Sequence, residues 1–392
     1  MELLIRNVNI FDGNGDSIIP NNSITVEAGI ISWIGPETSR PKRLVHQEEI
    51  NGRGLTLIPG MIDCHEHFIG DGGPANMDHL FDDSPDVFTI KAIANCRRAL
   101  LSGVTSARDV GSRFAINIAL AKSTAAGAIL GPRIVAAGEW LQFPGCWPPQ
   151  LTRRTTTVEE LLQAIQEQID LGAGLIKVGA TGKTDEGEQL STMGPVALEA
   201  ATRAAHEAGL KIAAHCVGYE GSRHAVEAGV DSIEHGTYID QDTASLMSHN
   251  GTFLVPTMST WDWTLRFGKS LGLTQQKMQQ AEESRESSRK SFKLALEAGV
   301  PIAAGTDAGG SGARHGFIAR EIELMVDAGM SPSSALQAAT TQAASLAGVE
   351  GLTGTIEIGK QADLVLIDGN PLDDPAALRN VWAVYKNGNR IY

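Results

Sequence analysis

Short apolar runs alternate along the chain with stretches of helical spacing. Eight of the runs read as strands, near residues 61–65, 104–110, 133–138, 174–179, 211–215, 231–235, 252–256 and 301–306. Between them the clearest helix runs from Val158 to about Asp170, with Val158, Leu161, Leu162, Ile165 and Ile169 on one face. Thr157 and Glu160 form a capping box at its start. Another helix begins at Ser331, with Pro332 in the first helical position. A refrain of acid, alanine, glycine and an apolar residue recurs at Glu207-Ala208-Gly209, Glu227-Ala228-Gly229, Glu297-Ala298-Gly299 and Asp327-Ala328-Gly329. Glycine just past a helix adopts the left-handed conformation that closes it. Helix, glycine, strand, repeated, predicts a parallel sheet covered by helices.

Eight strands alternating with helices predict an α/β protein, a (β/α)8 TIM barrel over residues 59–351. An open doubly wound sheet is the alternative, but no glycine-rich nucleotide fingerprint follows the first run. The two ends read differently. Residues 1–58 and 352–392 are strand-and-turn text, exemplified by Ala362-Asp363-Leu364-Val365-Leu366-Ile367 and the turn at Lys386-Asn387-Gly388-Asn389. They are expected to form one composite β-sandwich domain beside the barrel.

Composition agrees with this plan and narrows the partners. The 392 residues suit a large barrel plus a smaller unit, and 42% hydrophobic residues supply its core. A formal net charge of −14 argues against nucleic acid, whose binders present a basic face. No uniform apolar stretch is long enough to span a bilayer, so no membrane partner is expected. The first residues lack the basic and apolar regions of a signal peptide and read as a strand. Cys64, Cys96, Cys146 and Cys216 are scattered, without a close pair. A reduced, cytoplasmic setting is therefore expected, with a small molecule as substrate.

Barrel enzymes carry their chemistry where the strands end, and five of these runs end in candidates. His65 and His67 close the first run, and residues two apart on a strand point to one side, so both imidazoles can reach one ion. Alone, such a pair is weak in a chain with ten histidines. Lys177 ends an otherwise apolar run; burial favours its neutral amine, which can add carbon dioxide to give an anionic carbamate. A salt bridge or a Schiff base is the other use of such a lysine, though a Schiff-base enzyme would not need the histidines. His215 and His235 end consecutive runs, twenty residues apart. Asp307 ends the eighth, beside the first when a barrel closes, where a carboxylate can ligate metal and carry a proton.

The set His-x-His, Lys, His, His, Asp, in this order, on a barrel flanked by a split sandwich, resembles the binuclear amidohydrolase superfamily. The likeness is greatest to its imidazolonepropionase-like and prolidase-like branch, which includes Xaa-Pro and Xaa-Arg dipeptidase-like enzymes. It is carried by Pro59-Gly60-Met61-Ile62-Asp63-Cys64-His65, Ile176-Lys177-Val178-Gly179, Ser232-Ile233-Glu234-His235-Gly236-Thr237 and Ala304-Gly305-Thr306-Asp307. The resemblance implies two divalent metal ions, zinc being usual. His65, His67 and Asp307 would hold one, His215 and His235 the other. A carbamate on Lys177 and a hydroxide would bridge them, with Asp307 as the catalytic acid–base. It also implies a homo-oligomer.

The implied reaction is hydrolysis of a C–N bond in a small, apolar or aromatic N-acyl substrate. Trp140 and Trp147, after the third run, and Trp263, after the seventh, suggest an aromatic pocket. Tyr238, three residues after His235, is a candidate donor to the substrate carbonyl. Arg108 is a candidate partner for a substrate carboxylate, as are Arg153 and Arg154. Val217 stands two residues after His215, where peptidase-like relatives carry tyrosine or histidine. This weakens the metallo-dipeptidase alternative and favours a less polar amide, anilide, urea or carbamate. Ester, lactone or phosphotriester hydrolysis would use the same metal pair. A deaminase would use one metal and lack the lysine. A catalytically dead scaffold ranks last, because all six ligand positions are filled.

Overall fold

The first apolar run of the central segment is the strand Met61–Glu66, paired in parallel with Val104–Asp109, which pairs with Arg133–Ala136. A computed structural model of the chain describes residues 2–40, 48–73, 83–145, 152–183 and 189–392. A second parallel set runs through Trp140–Gln142, Leu175–Gly179, Lys211–Cys216, Ser232–His235 and Phe253–Val255. Backbone bonds join the two sets, Gly174 N donating to Ala136 O at 2.8 Å. Residues 302–308 close the circle: Ala303 N donates to Leu254 O at 3.0 Å and Cys64 N to Ala304 O at 2.9 Å. The architecture is a TIM barrel with a β-sandwich built from both ends of the chain.

Two of the eight predicted strands differ from the regular form. The third breaks at Gly138, whose φ of +75° turns the chain before it resumes at Trp140. The eighth forms only isolated bridges, Leu254 with Ile302 and Glu66 with Ala308. Pro301, which has no N–H to give a ladder, opens it, and Asp307, at a φ of +56°, ends its extended course.

The helical punctuation is as the spacing predicts. Thr157 Oγ1 accepts from Glu160 N at 3.2 Å, starting the helix Val158–Leu171. The Glu160 carboxylate reaches back one residue further than a standard capping box, accepting from Thr156 N at 2.7 Å. The helix Pro332–Ala338 starts at Ser331, whose hydroxyl accepts from Ser334 N. Gly209, Gly229, Gly299 and Gly329 all take positive φ where their helices end.

The sandwich is one continuous eight-stranded sheet containing Glu2–Ile10, Ile19–Glu27 and Leu55–Pro59 from one end and Leu364–Asp368 and Val381–Lys386 from the other. Strand alternation splits its faces. Leu57, Leu364 and Leu366 join the sandwich core, while Ile58, Val365 and Ile367 pack into the barrel's apolar layer. The same period operates within the barrel. In the parallel register Lys177 lies beside Ala213, and His215 beside Glu234. Leu175 and Ala213 share a small inner cluster, so Lys177 and His215, two residues further along, face the lumen above them. Among the described residues no helix is long and apolar enough to cross a membrane.

Candidate active site

Four imidazoles, one amine and one carboxylate converge at the C-terminal mouth of the barrel. The His65 and His67 rings lie 5.3 Å apart, His65 and His235 4.9 Å, and His215 and His235 4.7 Å. Asp307 Oδ1 sits 3.5 Å from His65 Nε2 and 3.6 Å from His67 Nε2. Donor atoms of His65, His67 and Asp307 all fall within 4.8 Å of one another. Two of the six residues are held in unusual backbone: His235 at φ +69° and Asp307 at φ +56°. Positive φ costs a non-glycine residue about 1–3 kcal/mol and is retained where a side chain must be aimed. In Ser232–His235, Glu234 takes the lumen position by alternation; the turn at His235 brings the next side chain to the same space.

The far nitrogens of three of the rings are fixed by partners beyond the site. His67 Nδ1 donates to Gly111 O at 2.8 Å; a carbonyl only accepts, so the Nε2 lone pair is left facing Asp307. His65 Nδ1 donates to Glu234 Oε2 at 2.7 Å, with the same result. His235 Nδ1 bonds Thr257 Oγ1 at 2.7 Å. Asp307 Oδ2 accepts from Thr260 Oγ1 at 3.1 Å. This is the outer support expected around a metal-ligand set.

Burial sets the protonation of the cluster. It holds the His65 and His235 imidazoles well below their ordinary value and His67 at about 4, so all three stay neutral and able to ligate. Burial pushes Asp307 up to about 7, against the pull of Lys177. Burial pulls Lys177 down to about 8, only partly offset by Glu234 and Asp307. Among the described residues its Nζ has no hydrogen-bond partner, although the side chain is fully enclosed. An amine this buried and unbonded is either costly or used. Neutral imidazoles, a carboxylate and an amine made easier to deprotonate in one pocket form a donor set that fits a divalent metal.

A chain of hydrogen bonds continues below the four histidines, and it corrects the reading of Arg108. That guanidinium is 1% exposed. It donates to Glu234 Oε1 at 2.7 Å, to Cys64 O at 2.7 Å and to Ser232 Oγ at 3.2 Å. Its charge is spent inside the barrel, beneath the histidines, where no substrate carboxylate meets it. Burial raises Glu234, but the charges of Arg108 and Lys177 outweigh it and leave the carboxyl below its ordinary value. Arg153 is taken by Glu167 at 2.6 Å, and Arg154 is exposed on a strand at the sheet edge.

The aromatic candidates divide. Trp140 is 3% exposed and walls the site: its ring lies 6.4 Å from His67, 4.9 Å from His215 and 5.4 Å from Lys177 Nζ. Trp263 is on a helix, Ser259–Phe267, rather than a loop, one turn from Thr260. Tyr238 is half-buried in the loop that follows His235. Trp147 lies outside the described residues. Gly310 passes so close that a Cβ there would fall 2.4 Å from His67 Cδ2 and 2.5 Å from Asp307 Oδ1. Gly310→Ala is therefore expected to displace the His67 or Asp307 side chain and lower kcat/KM by about 10²-fold, with the melting temperature little changed. Wild-type kinetics in that variant would show that the two side chains yield freely.

Glu234, Thr257, Thr260 and the Gly111 carbonyl were not singled out from the sequence. Only Glu234 left a signal there, as a charge inside a buried run.

The model of the amidohydrolase family matches residues 56–391. The chain belongs to the amidohydrolase family. Like other amidohydrolases it is a hydrolase acting on carbon–nitrogen bonds. Ochratoxinase of Aspergillus niger is 29% identical over 415 aligned positions, covering 95% of this chain and 84% of that protein. A crystal structure of a Xaa-Pro dipeptidase with bound methionine in its active site superposes with a TM-score of 0.90 at 31% identity, covering 100% and 99% of the two chains. A prolidase complexed with N-methylphosphonate-L-proline gives a TM-score of 0.90 at 26% identity, with the same coverage.

Proposed function

We propose that this amidohydrolase is a metal-dependent enzyme that cleaves the amide C–N bond of a small N-acyl compound with an apolar or aromatic body. The observation that carries the reading is the buried, unbonded Lys177 amine beneath four converging imidazoles and Asp307. His65, His67 and Asp307 would hold one divalent ion, zinc by donor type, and His215 and His235 a second. The Lys177 amine, reacting with carbon dioxide and releasing one proton, would supply a carbamate between them. Bound there, the ions would lower the pKa of a water and polarise the scissile carbonyl.

The protein's own groups do the rest. Asp307 would accept a proton from the attacking water and pass it to the departing amine. Thr260 holds its Oδ2. Trp140 excludes water from the Lys177 side and gives the substrate an apolar wall. Tyr238 is assigned to the substrate carbonyl. The amino-acid ligands of the two solved relatives, methionine and N-methylphosphonate-L-proline, support an amino-acid portion in the substrate. Val217, which cannot hydrogen-bond a substrate through its side chain, supports N-acyl compounds over dipeptides.

The test is a panel of N-acyl amino acids, anilides, dipeptides and matched aryl esters, using protein loaded with zinc and bicarbonate. Amides should be hydrolysed, N-acyl compounds ahead of dipeptides. Chelation should abolish turnover and zinc restore it. Turnover of esters alone, or activity that survives chelation, would contradict the proposal.

A further inference from the structure

Thr257 stands in backbone that a β-branched residue rarely adopts, at a φ of +45°. Such strain persists only where the surroundings hold it, and it is kept where it aims a side chain. Here Thr257 Oγ1 bonds His235 Nδ1 at 2.7 Å. Three residues on, Thr260 Oγ1 donates to Asp307 Oδ2 at 3.1 Å. Thr260 N donates to Thr257 O at 3.0 Å, closing the stretch as a turn. One short segment, Thr257–Thr260, therefore touches a ligand of each proposed ion.

The segment is held from outside the site by one side chain. Glu321, on the helix Ile318–Asp327, is fully enclosed. Its Oε1 accepts from Met258 N at 2.8 Å, and its Oε2 from Ser259 N at 2.7 Å and Ser259 Oγ at 2.6 Å. The two N–H groups belong to the peptide units that join Thr257 to Ser259. The carboxylate thus fixes the backbone between the two threonines, beside the strained residue. Its own helix is anchored by Ile318, Ile322 and Met325 in the barrel's apolar layer. Burial pushes the Glu321 carboxyl up to about 7, and among the described residues no cation pairs with it. Docking the two helices does not require that cost, because a second tie joins them further out: Arg320 Nη2 donates to Asp262 Oδ1 at 2.8 Å.

We propose that Glu321 is a positioning residue for both metal sites: through Thr257–Thr260 it aims His235 and Asp307 together, so that loss of its carboxylate weakens the two ions jointly. The inference rests on the two-metal reading above and adds a device that couples the two positions.

Zinc titration of the metal-free protein against a competing chelator reads both binding steps. Glu321→Gln keeps the shape but turns an NH2 toward Met258 N or Ser259 N. Both steps should weaken, by about 10-fold each. Thr257→Val and Thr260→Val should each weaken mainly one step. With both threonines replaced, Glu321→Gln should add little, because its route is already cut. Arg320→Gln, which breaks the outer tie, should leave both steps at wild-type affinity whatever it costs in melting temperature. Unchanged affinity in Glu321→Gln, weakening of one step alone, full additivity with the threonine variants, or an equal loss in Arg320→Gln would overturn the inference. If Glu321→Gln does not fold, Ser259→Ala, which lacks one of the three bonds, should weaken both steps about threefold; wild-type affinity in that variant overturns the inference. A wild type that binds a single ion overturns the two-metal reading and the joint effect with it, whereas two ions untouched by Glu321→Gln overturn the inference alone.

Discussion

Replacing Glu234 with glutamine is expected to weaken metal binding by about 10- to 100-fold and to destabilise the metal-free protein by about 3–5 kcal/mol. Both effects follow from hydrogen-bond inventory. Glu234 Oε1 accepts from Arg108 at 2.7 Å and Ser232 at 2.6 Å, and Oε2 accepts from His65 Nδ1 at 2.7 Å. A glutamine amide offers one accepting oxygen and one donating nitrogen. Turned one way, its NH2 meets the Arg108 guanidinium. Turned the other, it meets His65, which must then accept at Nδ1 and carry its proton on Nε2, the atom that faces Asp307. The Arg108 charge, 1% exposed, is left without a counter-ion in either case. Zinc titration against a competing chelator reads the first effect, and denaturant unfolding of the metal-free protein reads the second. Wild-type zinc affinity in Glu234→Gln would show that the carboxylate does not position His65.

Lys177→Met is expected to act in opposite senses on stability and activity. The amine is buried, unbonded and pulled down to about 8 from an ordinary value of 10.5. Below pH 8 folding must carry a charged amine into the barrel or remove its proton, a penalty of about 3 kcal/mol at 1.36 kcal/mol per pKa unit. Methionine fills similar space without the charge. The metal-free variant should therefore be more stable than wild type at pH 7, by an amount of that order. Between pH 8 and 10.5 the unfolded chain binds the lysine proton and the folded chain does not, so wild-type stability rises with pH across this window. The variant's advantage should shrink over it and vanish above it. Turnover by the metal-loaded variant should be lost throughout. A variant no more stable than wild type, or one that keeps its activity, would assign the lysine an ordinary structural place. Stability lost to keep a reactive amine in place is the trade expected at a functional site.

Much of this was legible in the sequence because the barrel converts position along a strand into position in space. His65, His67, Lys177, His215 and Asp307 are polar residues at the ends of apolar runs, and the fold gathers such ends at one mouth. The sequence does not encode depth as plainly. Arg108 lies before the end of its strand, within Val104–Asp109, and its long side chain crosses the lumen to Glu234 instead of rising to the mouth. Glu234 looked like a neighbour of His235, yet its partner is His65, 169 residues away. The eighth strand read as regular because apolar alternation does not register the missing N–H of Pro301 or the turn at Asp307. Trp263 read as a loop residue because Trp261-Asp262-Trp263 lacks an apolar stripe; its helix is one of nine residues, fixed by Glu321 accepting from Met258 N and Ser259 N at its start.

The central claim is a two-metal site that depends on Lys177. Metal content per chain, measured by plasma mass spectrometry on protein produced with zinc and bicarbonate, tests it most directly. About two ions per chain are expected, falling when Lys177 is replaced by alanine. One ion per chain, unchanged by that substitution, would contradict the account and favour a single-metal hydrolase held by His65, His67 and Asp307.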